Sequence, residues 1–546
     1  MRVRRDPGDL AVALAAGLAY APTLGGTTVW DDEFLTTRNP YLAPSQWGYL
    51  VSHDLWVASA KHEPAGYYRP LGTLSLAVSR LISNEPWSYH LGNVVLHVAV
   101  AFLLRRLVLA HRPAARFAAT AAALAFALAP ITSEAVEWLS GRFDLLGTLF
   151  LLGALWANAG RRHALAVVAF AAALFAKETL VMTPVLLALD DALHRRVRLR
   201  TAVFKYGACA AAFGLYVLAR TAAAVPSAAV SGSLVSAEAL RSYTGAVTLY
   251  GATLARTIAP SIFHVYRDPG TVHALVVAGV LALVTVGAAG WARREPAARG
   301  ALLGWLGALA ALVPVGLTAP RLYQTGDRYA YAPVALLLFG LALAVAALAR
   351  RRALAAHAAS ALLLVFAAAG VPSLLRRHQD WADEEHLFRV ELERDPSRSW
   401  AALLLGEMAA RRGDYATAQR LLESARTGIP RPHRVEIALC YVALNQDQLA
   451  SARAHCDAAL ALEPDDPRGL TNRANVRLLQ GDADGALDDA RHALRVKPQS
   501  VEAHAIAADA LFALGRLDEA RAENDAALAL SPGHARSLKL RSVIAR

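Results

Sequence analysis

Up to about residue 372 the chain alternates long apolar runs with short polar gaps that hold most of its arginines. A helix that crosses a bilayer needs about 20 mostly apolar residues. Runs near 9–27, 91–109, 116–131, 143–159, 163–178, 179–193, 201–221, 272–290, 300–318, 331–349 and 354–373 predict about eleven such helices. The stretch 240–262 (LRSYTGAVTLYGATLARTIAPSI) is amphipathic and carries Arg241 and Arg256. It reads either as a further span or as a helix lying in the interface. Residues 374–396 (LLRRHQDWADEEHLFRVELERDP) are polar and helix-forming, which predicts a linker helix over 374–398.

After the linker the pattern keeps a fixed period. Prolines stand at Pro396, Pro430, Pro464, Pro498 and Pro532, each 34 residues after the last. Alanines keep the same spacing at Ala418, Ala452, Ala486 and Ala520, and at Ala425, Ala459, Ala493 and Ala527. This period, with small residues at fixed offsets and a closing proline, is the tetratricopeptide signature. Four helix pairs are predicted near 399–432, 433–466, 467–500 and 501–534, followed by a short cap. Leu405 and Gly406 fit the first helix of the first pair, and Cys440, Ala474 and Ala508 stand where the glycine does. The fold class is therefore all-α: a polytopic membrane helix bundle of about eleven spans over 1–373, then a soluble tetratricopeptide α-solenoid over 399–546. Grooves of such repeats usually bind extended peptides; the sequence does not name the ligand.

Composition agrees with a membrane chain. Of 546 residues 55% are hydrophobic, and the mean hydropathy is +0.33. The net charge of +12 resides in gaps such as MRVRR, RRLVLAHRPAAR, GRRH, HRRVRLR, ARREPAAR and ARRR. That is the distribution the positive-inside rule produces, so no nucleic-acid partner is inferred. If 240–262 does not cross, these segments share one side, the cytoplasm. The loop 28–90, the loop 132–142, the Lys177-Glu178 end of one run, the loop 319–330 and the repeats then face out. Met1 to Arg5 lead into an apolar stretch from Leu10 with no A-x-A site after it, so the first run reads as a retained span. Alanine- and arginine-rich usage suggests a bacterium with a GC-rich genome, hence a cytoplasmic membrane with repeats in the periplasm or outside. Cys209 lies in an apolar run and reads as a packing residue. Cys440 and Cys456 fall on the two helices of one repeat. A disulfide there is open in an oxidising compartment, although the pair reads as about a turn out of register.

The outward segments collect acids, cations and aromatics. Asp31-Asp32-Glu33 follow the first run directly; burial and mutual repulsion raise a carboxyl and suit it to act as a base. The alternative is a solvated loop start. Arg69, after Tyr67 and Tyr68, suits bidentate phosphate binding or interfacial anchoring. His90, Asn93 and His97 share one helix face and either bind substrate or bond helices together; metal binding there needs further ligands. Glu134, Glu137, Arg142 and Asp144 crowd one membrane edge, where Arg142 and Asp144 can pair. Lys177-Glu178 and the segment Asp327-Arg328-Tyr329 add two further cations at such edges, where charge is costly; Arg328 is a second candidate phosphate ligand, with Tyr329 and Tyr331 beside it. A lipid-linked phosphosugar, tail in the bilayer and head in an outward cavity, accounts for this gathering. Cations hold the phosphate as leaving group, and a carboxylate takes the proton of an acceptor hydroxyl that attacks the anomeric carbon.

WDDEFLTTRNPYL, YYRPL, YHLGNVVLH, EAVEWLSGRFDLL, AKETLVMTP and DRYAYAP stand in this order ahead of the repeats. The ordered set resembles the transmembrane-and-tetratricopeptide-repeat O-mannosyltransferases, similar in architecture to membrane glycosyltransferases of the GT-C fold. The resemblance implies inverting transfer of a hexose, mannose in the family, from a polyprenyl- or dolichyl-phosphate carrier to protein hydroxyls on the non-cytoplasmic face. The lipid-phosphate sugar is then a co-substrate, and an acceptor protein or peptide is held by the repeat groove. A divalent metal is left open. It also implies Asp31 as base with Asp32 assisting, and matches Arg69, Glu134, Arg142, Asp144, Lys177, Glu178 and Arg328 to the family's polar positions; with His90 and Tyr329, read from the residues alone, these are the candidate substrate-binding positions. The chain departs from the family where relatives carry His-Pro and a further His; here those positions are Ala129 and Thr132. The competing reading is a non-catalytic membrane scaffold whose repeats recruit partners outside the cytoplasm.

Overall fold

The computed structural model describes residues 6–61, 64–194, 197–226, 236–256, 264–265, 269–322, 324–429 and 431–544. It divides into two compact units, Met1–Leu387 and Phe388–Arg546. Both are helical. Among the described residues the one strand pairing is antiparallel and two residues long, His264–Val265 with Gln324–Thr325.

Among the described residues of the first unit eight helices are long and apolar enough to cross a membrane: Pro7–Gly25, Pro86–His111, Leu139–Ala159, Leu199–Ala222, Gly270–Arg294, Pro296–Pro314, Asp327–Ala349 and Ala353–Asp380. Arg116–Ala127 and Pro130–Glu137 make a ninth if counted together, bent by 56°. The bend follows from Pro130, which lacks an N–H and drives the preceding residue out of the helical region; Ala129 is extended at φ −70°, ψ 124°. Eleven spans are expected from the sequence, and the difference is local. The runs 163–178 and 179–193 fold as His163–Ala176 and Thr183–His194, helices of 14 and 12 residues. The last span does not stop at 373 but runs through Asp380 into the segment expected as a linker. Ala237–Arg256, the ambiguous amphipathic stretch, is a helix outside the apolar set. It is fastened to Arg299–Leu322 by Tyr243, whose hydroxyl donates to the Leu309 carbonyl at 2.9 Å.

Small residues let these helices approach. Arg116–Ala127 buries seven alanines. At the crossing of Arg299–Leu322 with Tyr331–Ala349, a Cβ on Gly304 would lie 2.3 Å from the Gly340 Cα, the close backbone contact that membrane helices favour. Other faces are apolar and uncovered. Gly270–Arg294 is 6% buried over its most apolar window and exposes Val272, Leu275, Val276, Leu283 and Val286. Lipid is the solvent that such a face requires.

The second unit is four helix pairs and a cap: Ser399–Arg411 with Tyr415–Ala425, Pro432–Asn445 with Leu449–Leu462, Pro467–Leu479 with Ala483–Val496, Val501–Ala513 with Leu517–Leu530, then Ala535–Ile544. All eight periodic alanines are fully buried, which is why the period tolerates nothing larger. The turns keep time too: Gly413, Gly481 and Gly515 have positive φ, and the second repeat places Asp447 there at φ 59°. The cysteine register expected from sequence is corrected. Cys440 and Cys456 form a disulfide with a Cα–Cα distance of 5.3 Å. They stand symmetrically about Gln448 in the turn, so an antiparallel hairpin brings them opposite.

Candidate functional site

The loop after the first long helix is tied down at its acidic cluster. Asp31 precedes the short helix Asp32–Leu35 and pairs with Lys61, whose ammonium lies over the Trp56 and Phe34 rings at 4.3 and 5.0 Å. Asp32 turns the other way and is 1% exposed. It accepts from the Ser140 N–H and hydroxyl, both at 3.0 Å, and from the Leu139 and Val29 N–H groups at 3.2 and 3.3 Å. Burial pushes the Asp32 carboxyl up to about 7 against the opposing pull of these bonds. The two acids therefore differ in kind: Asp31 is reachable and ion-paired, Asp32 is sealed and fastens this loop to residues 139–140.

Asp54 does comparable work for the second part of the loop. Its carboxylate accepts from the Trp56, Ala65, Gly66 and Tyr67 N–H groups at 2.8 to 3.3 Å. That fixes the approach to Tyr67, Tyr68 and Arg69. Sequence reasoning missed Asp54; its signal is a lone acid thirteen residues before a tyrosine, which no pattern singles out.

Three cations then converge, each on a carboxylate from a different element. Arg69 grips Glu178 in a fork, Nε to Oε2 at 2.8 Å and Nη2 to Oε1 at 2.5 Å, and stacks over Tyr67 at 4.6 Å and Phe143 at 5.3 Å. Lys177 pairs with Asp144 and faces the Tyr329 ring at 5.1 Å. Arg328 pairs with Glu134 through its guanidinium, and its backbone N–H donates to the same carboxylate at 3.0 Å. The Arg328 guanidinium lies 4.6 Å from both the Trp138 and Tyr329 rings. Tyr329 thus sits between Lys177 and Arg328, at a cavity lined also by Asp144, Thr148, Thr179 and Pro333. Gly326 lies against this pair: a Cβ would come within 2.4 Å of the Glu134 carboxylate and displace its end. Trp138 joins the two halves, stacking on Trp30 at 5.5 Å while carrying Arg328 on its ring.

So the structure gathers Arg69, Glu134, Asp144, Lys177, Glu178, Arg328 and Tyr329, and links them through Trp138 to Asp31 and Asp32. It leaves Arg142 and His90 out. Arg142 does not pair with Asp144; two residues apart on a helix, they point to opposite sides. Arg142 is buried instead against Asn93 Oδ1 at 2.5 Å and the Tyr89 and Ser75 carbonyls at 2.6 and 2.9 Å, where it holds helices together. His90 Nε2 lies 3.3 Å from the Thr27 carbonyl. Asn93 donates to the Val136 and Trp138 carbonyls at 3.0 Å, and His97 bridges the Tyr331 hydroxyl and the Ala127 carbonyl at 2.8 and 3.1 Å. The shared face of these three residues is thus an internal brace. Glu137 pairs with His378 and accepts from the Thr23 hydroxyl at 3.0 Å. Thr132, at a position of family departure, bonds the Tyr20 hydroxyl at 3.0 Å in the core.

Residues 409–475 and 477–544 match the tetratricopeptide repeat family model. The chain is similar to Protein O-mannosyl-transferase TMTC2 of Mus musculus, 38% identical over 145 residues, which cover 26% of this chain and 17% of that protein. It is 33% identical to TMTC1 of Homo sapiens over 26% of this chain and 17% of the relative. It is 32% identical to Tmtc2 of Drosophila melanogaster over 36% and 23%. Over the matched stretches the chain is similar to these O-mannosyl-transferases, and it carries tetratricopeptide repeats; the matches span less than a quarter of these relatives' length. Among solved structures, the tetratricopeptide protein YrrB aligns at 20% identity and TM-score 0.25 over 31% of this chain and 84% of its own. A thermophilic tetratricopeptide protein of Thermus thermophilus aligns at 22% identity and TM-score 0.26 over 32% and 93%.

Proposed function

We propose that the protein transfers a hexose, mannose by the name of its relatives, from a polyprenyl- or dolichyl-phosphate carrier to hydroxyl groups of exported proteins, with inversion at the anomeric carbon. The observation that carries this reading is the convergence of Lys177 and Arg328 on the Tyr329 ring, with Arg69 held on Glu178, the residue next to Lys177. The cations neutralise the phosphate as it departs. Asp31, the reachable acid, removes the acceptor proton once the hydroxyl displaces Lys61 from it; Asp32 holds the loop in place. Reaction on the non-cytoplasmic face agrees with the Cys440–Cys456 disulfide, which persists in oxidising compartments, and with Ala237–Arg256 standing outside the apolar spans. The repeats offer a groove of about 370 Å³ lined by Glu407, Arg411, Tyr441, Arg468, Asn472 and Lys497, mixed in charge and suited to an extended acceptor peptide.

The test is glycoproteomics of exported proteins in a deletion strain complemented with wild type or Asp31→Asn at matched protein level. Hexose returns to Ser and Thr peptides with wild type alone. Full restoration by Asp31→Asn sinks the base assignment; unchanged glycans in the deletion strain favour the scaffold.

A further inference from the structure

A second polar cluster lies at the other end of the helices that carry the candidate site. Pro86–His111 has His90 at one end and His111 at the other, about 30 Å apart at helical rise. Arg142–Ala159 runs likewise from Arg142 to Asn158. At this far end His111 Nε2 lies 3.1 Å from Asp190 Oδ1, and His194 Nδ1 lies 3.0 Å from the same oxygen. The two imidazoles meet edge to face at 5.0 Å, and the three ligand atoms all lie within 4.8 Å of one another.

The hydrogen bonding around His111 fixes how its ring faces Asp190. His111 Nδ1 is 3.0 Å from the Leu107 carbonyl, which can only accept, so Nδ1 carries the hydrogen. In the neutral ring Nε2 then presents a lone pair to the carboxylate oxygen. Either a proton on Nε2 or a metal ion bridges the 3.1 Å between that nitrogen and the carboxylate oxygen. The other carboxylate oxygen is already used: Asn158 Nδ2 donates to Asp190 Oδ2 at 2.7 Å and to Asp191 Oδ1 at 3.0 Å. Lys205 pairs with the neighbouring Asp191 at 2.6 Å. A backbone carbonyl behind one histidine and an amide behind the carboxylate are the outer partners that orient metal ligands. Two imidazoles and one carboxylate suit Zn²⁺, which leaves a fourth position open. His194, 19% exposed at its side chain, borders a cavity that Arg293 and Arg299 also line, so that position is reached by water or hydroxide.

We propose that His111 Nε2, Asp190 Oδ1 and His194 Nδ1 bind one Zn²⁺ ion, which clamps Thr183–His194 to Pro86–His111. Asp190 and His194 are one helical turn apart on the same face, and His111 closes the triangle from a second helix. The role is structural and independent of the transfer reaction.

The full chain, purified in detergent with a tag free of histidine, is stripped by chelator and refilled with zinc or cobalt. The expected result is about one equivalent of zinc per chain, visible absorption bands of low-symmetry Co²⁺, and a higher melting temperature with metal than without. His194→Ala lowers zinc affinity at least about 10-fold. His194→Cys keeps the ion and adds a thiolate-to-cobalt band, which serves if the alanine variant does not fold. Background zinc after refilling, with no cobalt bands, overturns the proposal. Melting that depends on pH but not on metal would instead identify a protonated imidazole latch, and overturns it equally.

Discussion

Asp32→Asn is the sharpest test of how the loop after the first long helix is built. Burial raises the Asp32 carboxyl from its ordinary 3.8 to about 7. At 1.36 kcal/mol per pH unit, that is about 4 kcal/mol. The sign runs against the usual carboxylate. The folded chain holds this proton more tightly than the unfolded one, so the stability tied to it is full below about pH 4. It is lost as pH rises to about 7. Asparagine mimics the protonated acid, so the variant should match wild type near pH 4 and exceed it by about 3–5 kcal/mol at pH 8. Unfolding by SDS titration in mixed micelles at several pH values, read by tryptophan fluorescence, measures the difference. Trp30 reports from the loop itself and Trp138 from the segment it stacks on. If the variant is instead the less stable protein at pH 8, the four hydrogen bonds to Asp32 outweigh its burial and the electrostatic reasoning fails. A stability gain joined to lost transfer is what a strained functional position predicts.

Other perturbations address separate parts. Arg328→Gln removes one of the three cations and should lower turnover about 10²–10³-fold while the chain stays folded; a radiolabelled-donor assay on purified protein reads this, and turnover within about 3-fold of wild type contradicts a phosphate role. Asp447→Gly relieves a left-handed non-glycine turn and should stabilise the repeat unit by a few tenths to about 1 kcal/mol, measured by urea denaturation; a loss of stability refutes the turn argument. Reducing the Cys440–Cys456 bond, which joins residues 16 apart in sequence, should cost about 3 kcal/mol for a loop of this length; identical urea midpoints with and without reductant would show that the bond is not formed in solution.

Much of the site is legible because charge at a membrane edge is expensive and so stands out in an apolar sequence. Arg69, Lys177, Glu178 and Arg328 are each visible for that reason. Their partners are not visible, because every partner lies on another element. Lys177 meets Asp144 and not its neighbour Glu178, and Arg142 turns away from Asp144 because the helix rotates about 200° over two residues. The repeats read almost completely, since a 34-residue period fixes burial position by position. The short helices His163–Ala176 and Thr183–His194 do not, because both flank apolar segments that hydropathy alone joins into longer runs. His378 is hidden for a related reason: it sits on the continuation of the last long helix, in a stretch whose polarity reads as a linker.

The one-to-one matching of Arg69, Lys177 and Arg328 with Glu178, Asp144 and Glu134 carries a consequence for selectivity. A pocket whose charges already cancel throws no long-range field and does not draw soluble anions such as nucleotides or free phosphate. Any visitor must compete with carboxylates already in place. A molecule held at high local concentration by a hydrocarbon tail in the bilayer can do so, since membrane partitioning supplies the free energy that attraction through water does not.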